Sequence, residues 1–238
     1  MKTEKTVYRR LVCWVALLPV VLGLVIAAGC TPITMAVPPG LAGGVDKLPV
    51  ERPAMQSALV DEEWTFGDYA AVVDRGGKKS SGAGVGAFSA SKSSQAFKFT
   101  LKGAGADRSA ECEIAESSKG IGGFSKTART MSCTFTADGA DSWVLELGGE
   151  NASEDVMGVV TAGADHYEVV AVHESEQGGT LSNATGYAFR AADQDTGAVD
   201  VNSPGIVYLA HGISSEQAGA MACASIAMML YADSTSGF

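Results

Sequence analysis

Histidine, proline and positive charge are all scarce in this chain. Its 238 residues hold three His, seven Pro and 17 Lys and Arg, against 27 Asp and Glu, for a formal net charge of −10. An acidic surface is repelled by phosphate backbones and by anionic lipid headgroups, so nucleic acid is excluded as a partner. With three histidines, imidazole chemistry has few places to reside. His166 and Glu168 share one face of an alternating stretch, and His173, at odd spacing, points to the other. A metal site there would need His211 or a carboxylate from another strand, and no ligand spacing supports one. Polar positions on half-exposed strands account for these residues without a metal. No cofactor is expected.

Catalytic motifs are equally thin. There is no G-x-S-x-G elbow. Ser89-Ala90-Ser91-Lys92 has the S-x-x-K form of penicillin-recognising enzymes, but that chemistry needs a helix start and partner motifs that are missing here. Gly82-Ala83-Gly84-Val85-Gly86-Ala87 imitates a dinucleotide loop, yet no helix opens after it, and a flexible hairpin turn is expected instead. Asp193, Asp195 and Asp200 near Gly197 resemble part of a calcium loop without its closing Glu, and turn chemistry explains them. Asn151-Ala152-Ser153 and Asn183-Ala184-Thr185 are formal sequons and read as loops. No catalytic residues are assigned.

What is present is concentrated at the two ends. Lys2, Lys5, Arg9 and Arg10 precede an apolar run from Leu11 to Ile26, closed by Ala27-Ala28-Gly29-Cys30. A positive head, a short apolar core and small residues before a cut form a secretory signal. The alternatives are an uncleaved anchor, which Pro19 and Gly23 disfavour, and a twin-arginine signal. With Cys30 directly after the small residues, the segment resembles the lipobox of bacterial lipoproteins. That resemblance implies cleavage before Cys30 and acylation of its thiol with palmitate-type chains. More than one chain would then give stable membrane residence. It also implies a place in the bacterial cell envelope. Thr31, not Asp, follows the cysteine, which makes the outer membrane the expected destination if the host has one.

Residues 1–29 contain four of the basic residues and one acidic residue, Glu4, so the remainder carries 13 basic against 26 acidic residues, a net charge of −13. Membrane contact is then expected through the lipid alone. Five of the seven prolines fall between Pro32 and Pro53, among glycines. Residues 30–58 therefore read as the lipidated cysteine and a tether, spanning about 30 Å as a loose coil.

Residues 59–238 read as one β-rich domain. Short alternating runs, the first from Trp64 to Val73 and the clearest with Phe97, Phe99 and Leu101 between Lys98, Thr100 and Lys102, predict about eleven strands separated by turns. Cys112 and Cys133 each lie in phase with an apolar strand face. In an oxidising envelope they make a cross-strand disulfide, worth roughly 3 kcal/mol by loop closure, or else two buried free thiols. Cys223 reads as a small core residue. At the end, Ser214 and Gln217 form a capping box, followed by a helix over 215–232 that is apolar on every face. Such a helix must be buried all round.

The expected fold is mainly β: a single antiparallel barrel of about 11–12 strands around the buried C-terminal helix. The alternative is a β-sandwich with one packed helix. The layout from Asp61 to Asp233, with the hairpin Phe189 to Val201, the strand ending Tyr208-Leu209 and the helix Glu216 to Tyr231, is similar to the tubby-like fold of tubby, phospholipid scramblase and LURP-one proteins. The basic cluster that tubby uses for phosphoinositides has no counterpart in this acidic chain. Three functions follow as expectations: a non-catalytic anchored lipoprotein that binds a partner or serves a structural role, a carrier of lipid or another apolar ligand as the resemblance hints, and a hydrolase or metal enzyme with an unrecognised site.

Overall fold

The computed structural model describes residues 32–235 apart from 42, 54–59, 104, 106, 123, 140, 151–155 and 193. Two compact units divide at Pro32, and the second, Ile33–Phe238, holds all the elements below. The signal segment and Cys30 lie outside the described residues.

Thirteen strands form one antiparallel sheet. β1 (Val45–Pro49), β2 (Glu62–Phe66), β3 (Tyr69–Asp74) and β4 (Lys78–Val85) come first. Three long strands follow, β5 (Phe88–Lys102), β6 (Arg108–Ile121) and β7 (Phe124–Ala137). Then come β8 (Trp143–Glu150), β9 (Met157–Ala162), β10 (Asp165–Val172), β11 (Gly186–Ala191), β12 (Gln194–Asp200) and β13 (Ile206–Ala210). Each strand from β5 to β13 pairs with the next, β3 lies between β2 and β5, and β1 lies against β13. β4 pairs only with β5, off the path of the other twelve. Just past β1, Glu51 exchanges backbone hydrogen bonds of 2.8 and 2.9 Å with Thr65 of β2. This brings the first and last strands of the path together, and the barrel is nearly closed.

Alternation decides which side of the sheet is apolar. Phe97, Phe99, Leu101, Cys112, Ile114, Met131, Cys133 and Phe135 point inward and are buried, while Lys98, Thr100, Glu111, Glu113 and Thr134 point outward. A membrane-spanning barrel has the inverse pattern, apolar outside. Into the barrel runs α1 (Ser215–Thr235), whose residues Ala220–Leu230 are at most 2% exposed and share one core with the inward residues of the strands around it. Its start is capped reciprocally: the Gln217 amide donates to Ser214 Oγ (3.1 Å), and the Ser214 amide donates to Gln217 Oε1 (3.0 Å). Gly197 on β12 allows the close approach, since a Cβ there would lie 3.4 Å from Met221. The helix runs three residues beyond its predicted end, to Thr235.

Two expectations need correction. Residues 33–53 are not a tether. Met35 and Leu41 are buried against Ala188, Ala198 and Tyr208 on the outer face of the sheet, and Val45–Pro49 is the seam strand β1. Their lack of periodicity hid this, because the unpaired edge of β13 supplies the hydrogen bonds that order them. The first predicted strand, Trp64 to Val73, is two strands turning at Gly67, whose φ of 55° breaks the run. The hairpin turn expected in the glycine-rich run 82–87 is narrower, from Val85 to Phe88, and is closed by Gly86 at φ 62°.

Candidate functional site

Cys112 on β6 and Cys133 on β7 stand directly opposite one another, face inward, and have their sulfurs at 2.06 Å, as in a disulfide. Cys223, in mid-helix and 1% exposed, is a free thiol that burial pushes up to about 12, with Arg108 acting weakly against it. It stays protonated near neutrality and is a packing residue.

The motifs read as chemistry come apart in space. Ser89 and Lys92 are three apart on β5, so they point to opposite faces of the sheet. The glycine-rich run 82–87 is the end of β4 and its hairpin turn. His166 is exposed on β10, as is Glu168. His173 lies beside the Leu181 carbonyl, its Nδ1 3.0 Å away, and the Nε2 of His211 stands 3.1 Å from Asp46. His173 sits at the end of the barrel opposite to the other two. Among the described residues, no three His, Cys, Asp or Glu side chains converge to hold a metal. Asp195 pairs with Arg190 at 2.7 Å. Asp200 accepts from the amides of Met35 (2.8 Å) and Asn202 (2.8 Å) instead. Asp193 and Asn151 lie outside the described residues, and Asn183 is an exposed loop position.

Polar groups close the barrel at both ends of α1. At the C-terminal end, Asp233 accepts from Arg52 (2.9 Å) and Arg75 (2.8 Å), and Arg75 and the Trp64 indole both donate to Glu62. At the N-terminal end, Arg108 donates to the Glu216 carbonyl, and Trp143 donates to the Glu216 carboxylate. Buried charges in such a network are satisfied, and their role is to seal the barrel. Tyr208, beneath the Met35–Leu41 segment, has a buried hydroxyl without a hydrogen-bond partner, and burial raises its pKa.

Among the described residues, two open grooves stand out. One, of about 610 Å³, lies at the end where the chain turns from β13 toward α1, lined by Asp46, Asp68, Tyr69 and His211. Its described lining offers an imidazole beside a carboxylate but no serine or cysteine to act as a nucleophile. The other, of about 490 Å³, lies along β4–β7 and is lined by Lys79, Lys92, Ser94, Ser117 and Thr130.

The second groove belongs to a feature that sequence reasoning missed. β4 and the outer halves of β5, β6 and β7 continue past their neighbours as a four-stranded arm, exposed along most of its length. Its tip carries Val85, Phe88, Ile121 and Phe124. The signal was in the turns: Val85-Gly86-Ala87-Phe88 and Ile121-Gly122-Gly123-Phe124 share the order aliphatic, Gly, small, Phe. A two-residue turn places its flanking residues opposite each other on one face.

No protein-family model, curated protein or solved structure matches this chain.

Proposed function

We propose that this chain is a lipid-anchored, non-catalytic protein of the bacterial envelope, held by Cys30 and acting in a binding or structural role through its outer surface. In a host with an outer membrane, that membrane is its site. The observation that carries the reading is the filled barrel: α1 occupies the interior, so recognition falls to the outer faces, the loops and the arm. The same filling weighs against a carrier that holds an apolar ligand inside, which would need a cavity of roughly 300 Å³ or more. The dispersal of Ser89, Lys92 and the three histidines weighs against a hydrolase or metal enzyme.

The anchor is tested at Cys30. Cys30→Ser should abolish labelling by a fatty-acid probe and leave an unprocessed precursor. Normal labelling and processing of that variant would overturn the lipoprotein reading.

A further inference from the structure

We propose that the β4–β7 arm docks on an anionic phospholipid bilayer, inserting its apolar tip between the headgroups. The register is the first reason. Val85 lies opposite Phe88, Phe88 opposite Ile121, and Ile121 opposite Phe124, so all four project from one face. They are 82%, 62%, 60% and 87% exposed, an unusual concentration of bare apolar surface on a polar molecule.

Charge is the second reason. Two residues behind the tip on the same face, Lys119 lies opposite Lys126, and Lys92 and Lys79 occupy the same face farther back. Among the described side chains of the arm, the acidic one is Glu116, bound by Arg129 on the opposite face. The chain is strongly acidic as a whole, yet this face pairs an apolar tip with lysines set behind it. That arrangement lets methylene stems lie along the bilayer surface while the ammonium groups meet phosphates. The reverse face offers Gly84, Ser89, Gly120 and Ser125, which have no comparable affinity. Four side chains at the end of a narrow arm are also too little surface for a stable protein interface of about 1,200 Å² or more.

Where the described chain begins is the third reason. Met35 bridges to Ser175, just beyond the end of β10, and its amide donates to Asp200 at the end of β12. Antiparallel pairing from β6 to β12 places those ends on the side of the barrel from which the arm projects. Val60, just ahead of β2, and Met157, opening β9, are 69% and 73% exposed at the same end. From Cys30 to Met35 the covalent chain reaches at most about 17 Å. The seven residue steps from Gln95 to Phe88 carry the arm about 23 Å. If Cys30 is acylated, a domain standing with this end toward the membrane has its tip within reach of the bilayer. This third reason rests on the anchor reading, whereas the first two do not.

The test uses the full chain carrying Phe124→Trp, reconstituted in vesicles, with the parent's own tryptophan emission subtracted. Val72→Trp, on the barrel wall, is the reference. In vesicles containing about a third phosphatidylglycerol, emission from position 124 should shift to the blue. It should be quenched by brominated acyl chains, while position 72 responds only to aqueous iodide. Replacing Lys79, Lys92, Lys119 and Lys126 together by Gln should return the quenching at position 124 to the level of position 72. Equal iodide access at both positions in these vesicles would overturn the proposal. So would a blue shift without lipid that grows with protein concentration, since a second copy would then cover the tip. Labelling of Cys30 is scored on the same samples, so failure of the arm and failure of the anchor are read separately.

Discussion

Asp200 illustrates how a single residue ties the segment before β1 to the barrel. Its carboxylate accepts from the Met35 amide and from both the amide and the side chain of Asn202, at 2.8–2.9 Å. Burial raises its pKa above the ordinary 3.8, and these hydrogen bonds only partly oppose the rise. A carboxyl whose folded pKa is raised binds its proton more tightly in the folded state. Its stabilising contribution is therefore complete below 3.8 and is lost as the pH climbs through the folded value. Asp200→Asn keeps an acceptor and removes the charge, so the variant should gain on the wild type in Tm as the pH is raised from about 3 to 7. Parallel Tm curves would show that the carboxylate is not held at a raised pKa. Sequence alone could flag Asp200 only as a turn residue, because its partners are Met35, far away along the chain, and a neighbour.

At the scale of the element, α1 is the part most legible in advance. Its apolar residues cover every face, which admits no exposed side. The capping box set its start, and the structure has both of its hydrogen bonds. Met229 is fully buried, so Met229→Asp places a charge in the core with no partner designed for it. The cost should be several kcal/mol, a large share of the ~5–15 kcal/mol margin of a folded domain. The variant should be insoluble or melt far below the wild type, while Val60→Asp, at a position 69% exposed, should melt nearly unchanged. Equal melting of Met229→Asp and wild type would mean that the helix is not enclosed. Val45 would be a poor control, although it was expected in the tether, because it sits in β1 opposite Ala210.

For the molecule as a whole, the seam matters most. β1 joins β13, and Glu51 reaches β2, so a chain begun at residue 59 lacks the strand that brings the two edges together. It also uncovers Ala188, Ala198 and Tyr208, which Met35 and Leu41 bury. That truncation should aggregate or lose its cooperative thermal transition, whereas a chain begun at residue 31 should melt as the intact domain does. Identical melting of the two would mean that β1 is dispensable. Open edges of this kind template pairing with other chains, which is the physical reason to expect aggregation.

What the sequence determined by itself was the class of fold and the place of the helix. Period-two alternation states which residues of a strand share a face, and an all-apolar helix states that it has no exterior. Neither pattern names a strand's partner. That is why the turn at Gly67 was read through as strand, and why residues 33–53 were read as a tether. Only the tertiary structure decided that the free edge of β13 recruits a proline-rich segment, and that four strands outrun the barrel. Both outcomes depend on backbone hydrogen bonds between strands, which leave little mark on side-chain pattern beyond the repeated turn at the tip of the arm. The same holds for the arm's face: Phe88, Ile121 and Phe124 become neighbours through register alone.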